Sequence, residues 1–198
     1  MARISYVDPA SVTEPDLVRI LDEAREYGTP RLESQSIRAH VPAVLRTFSA
    51  TWRETFREGV LEHRVKELAR MYVATSLECG YCAGQRSHIG RDQGLSEHSF
   101  EEIVEFRDSD RYSEREKAAL RWAEAITWDP SLADDEVWEA LHAHFSEPEL
   151  VELGYFIALT LGQQRFLKTL DVRHGDLGLE STAGLAPDVL ARLRSSEV

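Results

Sequence analysis

The chain holds two cysteines among 198 residues, eleven glycines and seven prolines, and far fewer basic than acidic side chains. Each scarcity excludes something. Two cysteines cannot build a disulfide framework or a Cys-rich metal module. With 23 Lys and Arg against 35 Asp and Glu, a net charge of −12 leaves no basic stripe for a nucleic-acid backbone or an anionic membrane surface. No apolar run approaches the roughly 20 residues needed to span a bilayer. The opening residues, Met1-Ala2-Arg3-Ile4-Ser5, carry no apolar signal segment. No stretch alternates with the period of two that marks a half-buried strand. No Gly/Ser/Pro-rich linker divides the chain, and its 42% hydrophobic content suffices for one core. The expectation is a single cytoplasmic domain over 1–198, all-α, with no nucleic-acid or membrane partner.

What is present is helical periodicity almost throughout. Thr13-Glu14-Pro15-Asp16 has the Pro and acid of a helix first turn and predicts a helix to about Tyr27. Val44, Phe48, Trp52 and Phe56 recur every four residues as one apolar stripe, and Leu61, Val65, Leu68 and Tyr72 mark a helix over about 61–77. Ser96 can cap a short helix containing Phe100, Ile103 and Val104. Ser113–Glu116 and Ser146–Glu149 read as capping boxes opening helices over about 114–127 and 147–169, with others near 134–144 and 187–195. The segments beginning Arg64-Val65-Lys66-Glu67-Leu68 and Glu149-Leu150-Val151-Glu152-Leu153 also align at an offset of 85 residues, which suggests two pseudo-repeated halves. That offset sets Cys79 against Gln164, so only the first half keeps thiols.

Both cysteines lie in Cys79-Gly80-Tyr81-Cys82. A disulfide closing about four residues should stabilise by only roughly 2 kcal/mol, against nearly 5 for a hundred-residue loop. A structural staple is therefore poorly placed here. Cysteine reacts as thiolate, and its pKa of about 8.5 falls in Cys-x-x-Cys pairs or at helix N-termini. A peroxide converts such a thiolate to sulfenic acid, which a neighbouring thiol condenses to a disulfide. Tetrahedral zinc would need two further ligands, and no second Cys pair or His-x3-His exists; His142 and His144 are poorly spaced on a helix. No metal and no cofactor are expected.

Glu67 stands twelve residues before Cys79, which makes Glu-x11-Cys-x-x-Cys. This pattern resembles the alkyl hydroperoxide reductase D (AhpD) group of the alkylhydroperoxidase/carboxymuconolactone decarboxylase superfamily, over about residues 40–170. The resemblance implies an AhpD-like helical bundle and a thiol-dependent peroxidase that reduces hydroperoxides and is re-reduced by a thiol electron donor. It also implies Cys82 as the peroxidatic thiol, Cys79 as its resolving partner, Glu67 as proton acceptor, and a homo-oligomer, trimer or hexamer. The family's histidine, four residues after the second cysteine, is replaced by Arg86. His88 is the nearest histidine and the candidate proton relay, although it falls about 160° around a helix from the family position. Arg86 could instead stabilise a thiolate, but it cannot shuttle a proton. A straight helix would carry Glu67 about 18 Å from Cys79, so the chain must turn near Glu78–Gly80 for the two to meet, and Gly80 is the residue expected to break the helix there. Two alternatives stand beside the peroxidase: a lactone decarboxylase of the carboxymuconolactone type, which needs no thiol pair, and a non-catalytic helical oligomer with a vestigial site.

Overall fold

A computed structural model describes residues 2–178 and 182–195. Among them the fold is all-α, as expected: ten α-helices, no strand, and one isolated antiparallel bridge between Gln85 and Leu185. Helix α1 (Pro15–Tyr27) starts with Pro in its first turn and stops at Gly28, whose φ of 65° is left-handed. The later helices lie close to their predicted bounds: α7 (Glu114–Thr127), α8 (Asp135–His144), α9 (Glu147–Thr169) and α10 (Pro187–Ser195). Both capping boxes form. The Ser113 and Ser146 amides donate to Glu116 and Glu149 at 2.8 Å each, which satisfies amides that a helix start would otherwise leave unpaired.

Helices α4 (His63–Ser76), α7 and α9 form the centre, with Leu68, Tyr72, Leu120, Leu153 and Ile157 among the buried side chains between them. The two segments that look alike in sequence, α4 and α9, therefore pack on each other. Helix α3 (Pro42–Trp52) runs into a single π turn (Arg53–Arg57), so Phe48, Trp52 and Phe56 stay on one face against Phe156 of α9. Val44, expected on that stripe, is 47% exposed.

Two segments differ from expectation. In place of a helix after Ser96 there is one 3-10 turn (Glu97–Phe100) followed by irregular turns, which bury Ile103 and leave Val104 exposed. Helix α2 (Leu32–Arg38) has no counterpart in the sequence reading. Its Glu, Ser, Gln and Arg side chains look like a solvated surface, yet all seven residues are buried. Burial is tolerated because partners arrive from elsewhere: Arg31 pairs with Glu33 at 3.2 Å, Gly175 N–H donates to Glu33 at 3.0 Å, and Gln35 donates to Ser49 at 2.9 Å.

Candidate redox site

The required turn forms at the end of α4, two residues before Gly80. The Cys79 amide donates to the Ala74 carbonyl at 3.0 Å and the Glu78 amide to Thr75 at 2.9 Å, while Glu78 takes a left-handed φ of 51°. This is a Schellman ending with glutamate where glycine is usual. It sets Cys79 as the N-cap of a one-turn helix, α5 (Gly80–Ala83), with the Cys82 amide directed at Cys79 Sγ at 3.3 Å. The two cysteines are joined as a disulfide with Cα atoms 5.3 Å apart, and each is 2% exposed.

The chain then returns along α4. Glu67 grips Arg70 at two points (2.7 and 2.8 Å), and Arg70 donates to the carbonyls of Cys82 (2.9 Å) and Gln85 (2.8 Å). Glu67 Oε1, one of the two oxygens paired with Arg70, also accepts the Ser87 amide at 3.0 Å. Gly90 of α6 (His88–Asp92) lies over Glu67 so closely that a Cβ there would come within 3.3 Å of its Cγ. Burial would raise the Glu67 carboxyl, but the Arg70 guanidinium outweighs it and the pKa lies below the ordinary carboxylate range. One helical turn before Glu67, His63 Nδ1 bonds the Phe56 carbonyl and Nε2 meets the Ser87 hydroxyl, both at 2.6 Å. A carbonyl partner requires Nδ1–H, so in the neutral ring Nε2 accepts from Ser87. Burial keeps that ring neutral, with its pKa pushed down to about 4.

Cys82 lines a cavity of about 30 Å³ whose wall includes Arg38, Arg70, Gln85, Gln163 and Gln164 and no carboxylate. That volume is room for two or three waters. Gln164, the residue aligned with Cys79 by the internal similarity, donates from Nε2 to the Arg70 carbonyl and to Thr160; its buried Oε1 has no partner among the described residues.

The C-terminal segment covers the motif's opposite side. Arg86 N–H donates to Gly184 and Ala186 N–H to Gly84, both at 2.9 Å. The His174 ring stacks on Tyr81 with centroids 4.4 Å apart, and burial pushes its pKa down to about 4.

The structure thus brings together three of the four sequence-predicted site residues: Cys79, Cys82 and, through Arg70 and Ser87, Glu67. His88 is not among them; as the first residue of α6 it stacks on Tyr27, with centroids 5.1 Å apart. Arg86 is also engaged elsewhere, held by Glu97 at 2.6 Å. Sequence reasoning missed His63 and Arg38. His63 had a signal, since it lies four residues before Glu67 on the same helix face. Arg38 had none, because its helix is held by contacts distant in sequence.

The fold and site define an all-α protein built around a buried Cys-x-x-Cys disulfide backed by a carboxylate–guanidinium pair. Residues 42–125 match the carboxymuconolactone decarboxylase family. The Mycobacterium tuberculosis protein Rv2313c is 35% identical over 101 residues, which is 51% of this chain but only 36% of that relative's length. Two solved structures share the fold over nearly the whole chain. A peroxidase-related protein from Ralstonia eutropha JMP134 with an alkylhydroperoxidase AhpD core has a TM-score of 0.74 at 18% identity, covering 93% of this chain and 98% of its own. The debrominase Bmp8 has a TM-score of 0.73 at 20% identity, covering 97% and 96%.

Proposed function

We propose that this protein is a thiol-dependent oxidoreductase of the alkylhydroperoxidase type, with Cys82 the attacking thiol and Cys79 its resolving partner. One observation carries the assignment of parts: Cys82 opens on a cavity beside Arg38, Arg70 and Gln164, whereas Cys79 is the N-cap of the turn and is not part of that cavity's wall. In the reduced protein the Cys82 thiolate attacks the distal oxygen of a hydroperoxide. The O–O bond breaks and, with one proton taken up, gives Cys82 sulfenic acid and an alcohol. The Cys79 thiol then displaces water to form the disulfide, and an external dithiol supplies the two electrons that reset the pair.

Glu67 acts in this reading by position more than by proton transfer. Ionised and gripped by Arg70, it holds the guanidinium that ties down the carbonyls of Cys82 and Gln85. His88 takes no part in the chemistry. The donor dithiol, the physiological hydroperoxide and a homo-oligomeric trimer or hexamer remain parts of this proposal.

The test is thiol counting after stoichiometric tert-butyl hydroperoxide. Wild type should lose both thiols, and Cys79→Ser should accumulate a trappable sulfenic acid. Cys82→Ser should keep its remaining thiol. Thiols that persist in wild type at millimolar peroxide would refute the reading.

A further inference from the structure

Arg38 is a buried guanidinium, 5% exposed, that forms no ion pair among the described residues. Its hydrogen bonds go to neutral oxygens: the Ser34 carbonyl and Gln35 Oε1, both at 3.1 Å, and Gln163 Oε1 at 2.7 Å. Its planar face lies on the Phe48 ring, 3.7 Å from the centroid. These contacts hold the group in place without neutralising it. Burial pushes its pKa down to about 10, so it is still a cation at neutral pH. A buried charge without a counter-charge is among the more expensive features a fold can carry, and here it borders a small cavity that also contains Cys82.

The other groups around Cys82 do not supply the missing anion. Arg70 of α4 is already matched by Glu67, and Arg86 by Glu97. Helix α9 contributes Thr160, Gln163, Gln164 and Leu167, and α3 contributes Phe48 and Trp52, all uncharged. The Tyr81 hydroxyl is kept protonated by burial and by the nearby Glu33 carboxylate. In the disulfide state, therefore, the cavity holds a cation with no anion. It also holds an acceptor, Gln164 Oε1, with no donor among the described residues.

We propose that Arg38 is the counter-charge of the Cys82 thiolate formed when the disulfide is reduced, and that Gln164 Oε1 receives the O–H of the hydroperoxide beside it. The inference rests on the reading of Cys82 as the reacting thiol. Reduction by an external dithiol breaks the S–S bond and gives Cys79 thiol, Cys82 thiolate, one released proton and the donor's own disulfide. The negative charge then appears in the cavity where the positive one waits. Arg38 thereby couples two properties that a structural arginine would leave alone: it increases the thiolate fraction of Cys82, and it favours the reduced pair over the disulfide.

The experiment titrates the single thiol of Cys79→Ser by ultraviolet thiolate absorbance, with and without Arg38→Met. In the intact protein, it measures the equilibrium of the pair with dithiothreitol. With Arg38 present, Cys82 should titrate well below the ordinary value of about 8.5. Arg38→Met should raise that titration by about one unit, a tenfold weaker thiol acid. At a pH above both titrations, the same substitution should shift the dithiothreitol equilibrium about tenfold toward the disulfide, equivalent to about 30 mV. Gln163→Glu, at a half-buried position, sets a carboxylate against Arg38 and should move both readings the same way; it decides the matter if Arg38→Met does not fold. Titrations that ignore both substitutions would overturn the counter-charge while leaving a peroxide-competent pair standing. Thiols that titrate as described yet survive hydroperoxide would do the reverse.

Discussion

Arg70 meets Glu67 as a two-point ion pair three residues apart on α4, with both side chains no more than 3% exposed. Because the same guanidinium also holds the carbonyls of Cys82 and Gln85, this pair is the mechanical link between α4 and the redox turn. Glu67→Gln keeps the shape and leaves the guanidinium uncompensated. Breaking a buried pair in this way costs about 3–5 kcal/mol, read as a lower urea midpoint. If Glu67 positions the turn, oxidation of Cys82 slows at every pH and keeps its pH profile. Loss of one limb of the profile would instead make Glu67 a proton acceptor.

The other acid singled out by the internal similarity, Glu152, has a comparable task. It accepts from Lys66 Nζ at 2.8 Å and from the amides of Val60 (2.7 Å) and Leu61 (3.3 Å), and the Lys66 side chain is fully buried. Glu152→Ala strands that ammonium and both amides, so a loss of about 3–5 kcal/mol is expected in urea unfolding. Lys66→Met combined with Glu152→Gln removes both charges and should recover much of the loss. A double variant no better than the single one would show that the amide bonds, not the ion pair, dominate.

Gly28 admits the C-terminal segment to the motif. Its φ is 65°, and a Cβ there would overlap the Ala183 carbonyl. Gly28→Ala therefore adds backbone strain of about 1–2 kcal/mol and pushes the segment from Arg86 and Gly84. With both sulfurs 2% exposed in the closed arrangement, the disulfide of the variant should be reduced faster by dithiothreitol, with new proteolytic cleavage near residue 183. Unchanged reduction kinetics would mean that the reductant enters from the Arg38 side.

Two histidines predict the acid response. Burial pushes His63 and His174 each down to about 4 from an ordinary value near 6.5. Between those values the unfolded chain binds more protons than the folded one, so stability falls as pH drops from about 6.5 toward 4 and is complete above 6.5. Each group contributes a slope of up to about 1.4 kcal/mol per pH unit. The Glu67 contribution is present above its unfolded value and is lost at still lower pH, as the medium passes its depressed folded value. Urea midpoints across pH 4–7 check this, and His63→Gln should flatten the slope.

How much was legible follows from the range of the forces involved. Helices α7 and α9 could be read to within a residue or so because their starts are set by contacts three residues apart, Ser113 with Glu116 and Ser146 with Glu149. The need for a turn before the motif was also legible. The glycine expected to make it was not the residue used, since Glu78 accepts the left-handed conformation and Gly80 simply opens α5. His88 shows the limit of spacing arguments: it stood nearest the family position, yet Ser87 is the last residue before α6 redirects the ring toward Tyr27.

The all-α class, the Cys79–Cys82 pair and Glu67 at its distance were determined by the sequence, because periodicity, capping and motif spacing act within a few turns of chain. Which charges would be buried, and against what, was decided only in three dimensions. Arg38 lies in a segment as polar as any loop, and Gln164 is 82 residues beyond Cys82. Packing of α2 and α9 about the motif brings them to one cavity. Burial and the absence of a neighbouring carboxylate are sums over the whole fold, and no local stretch of sequence contains them.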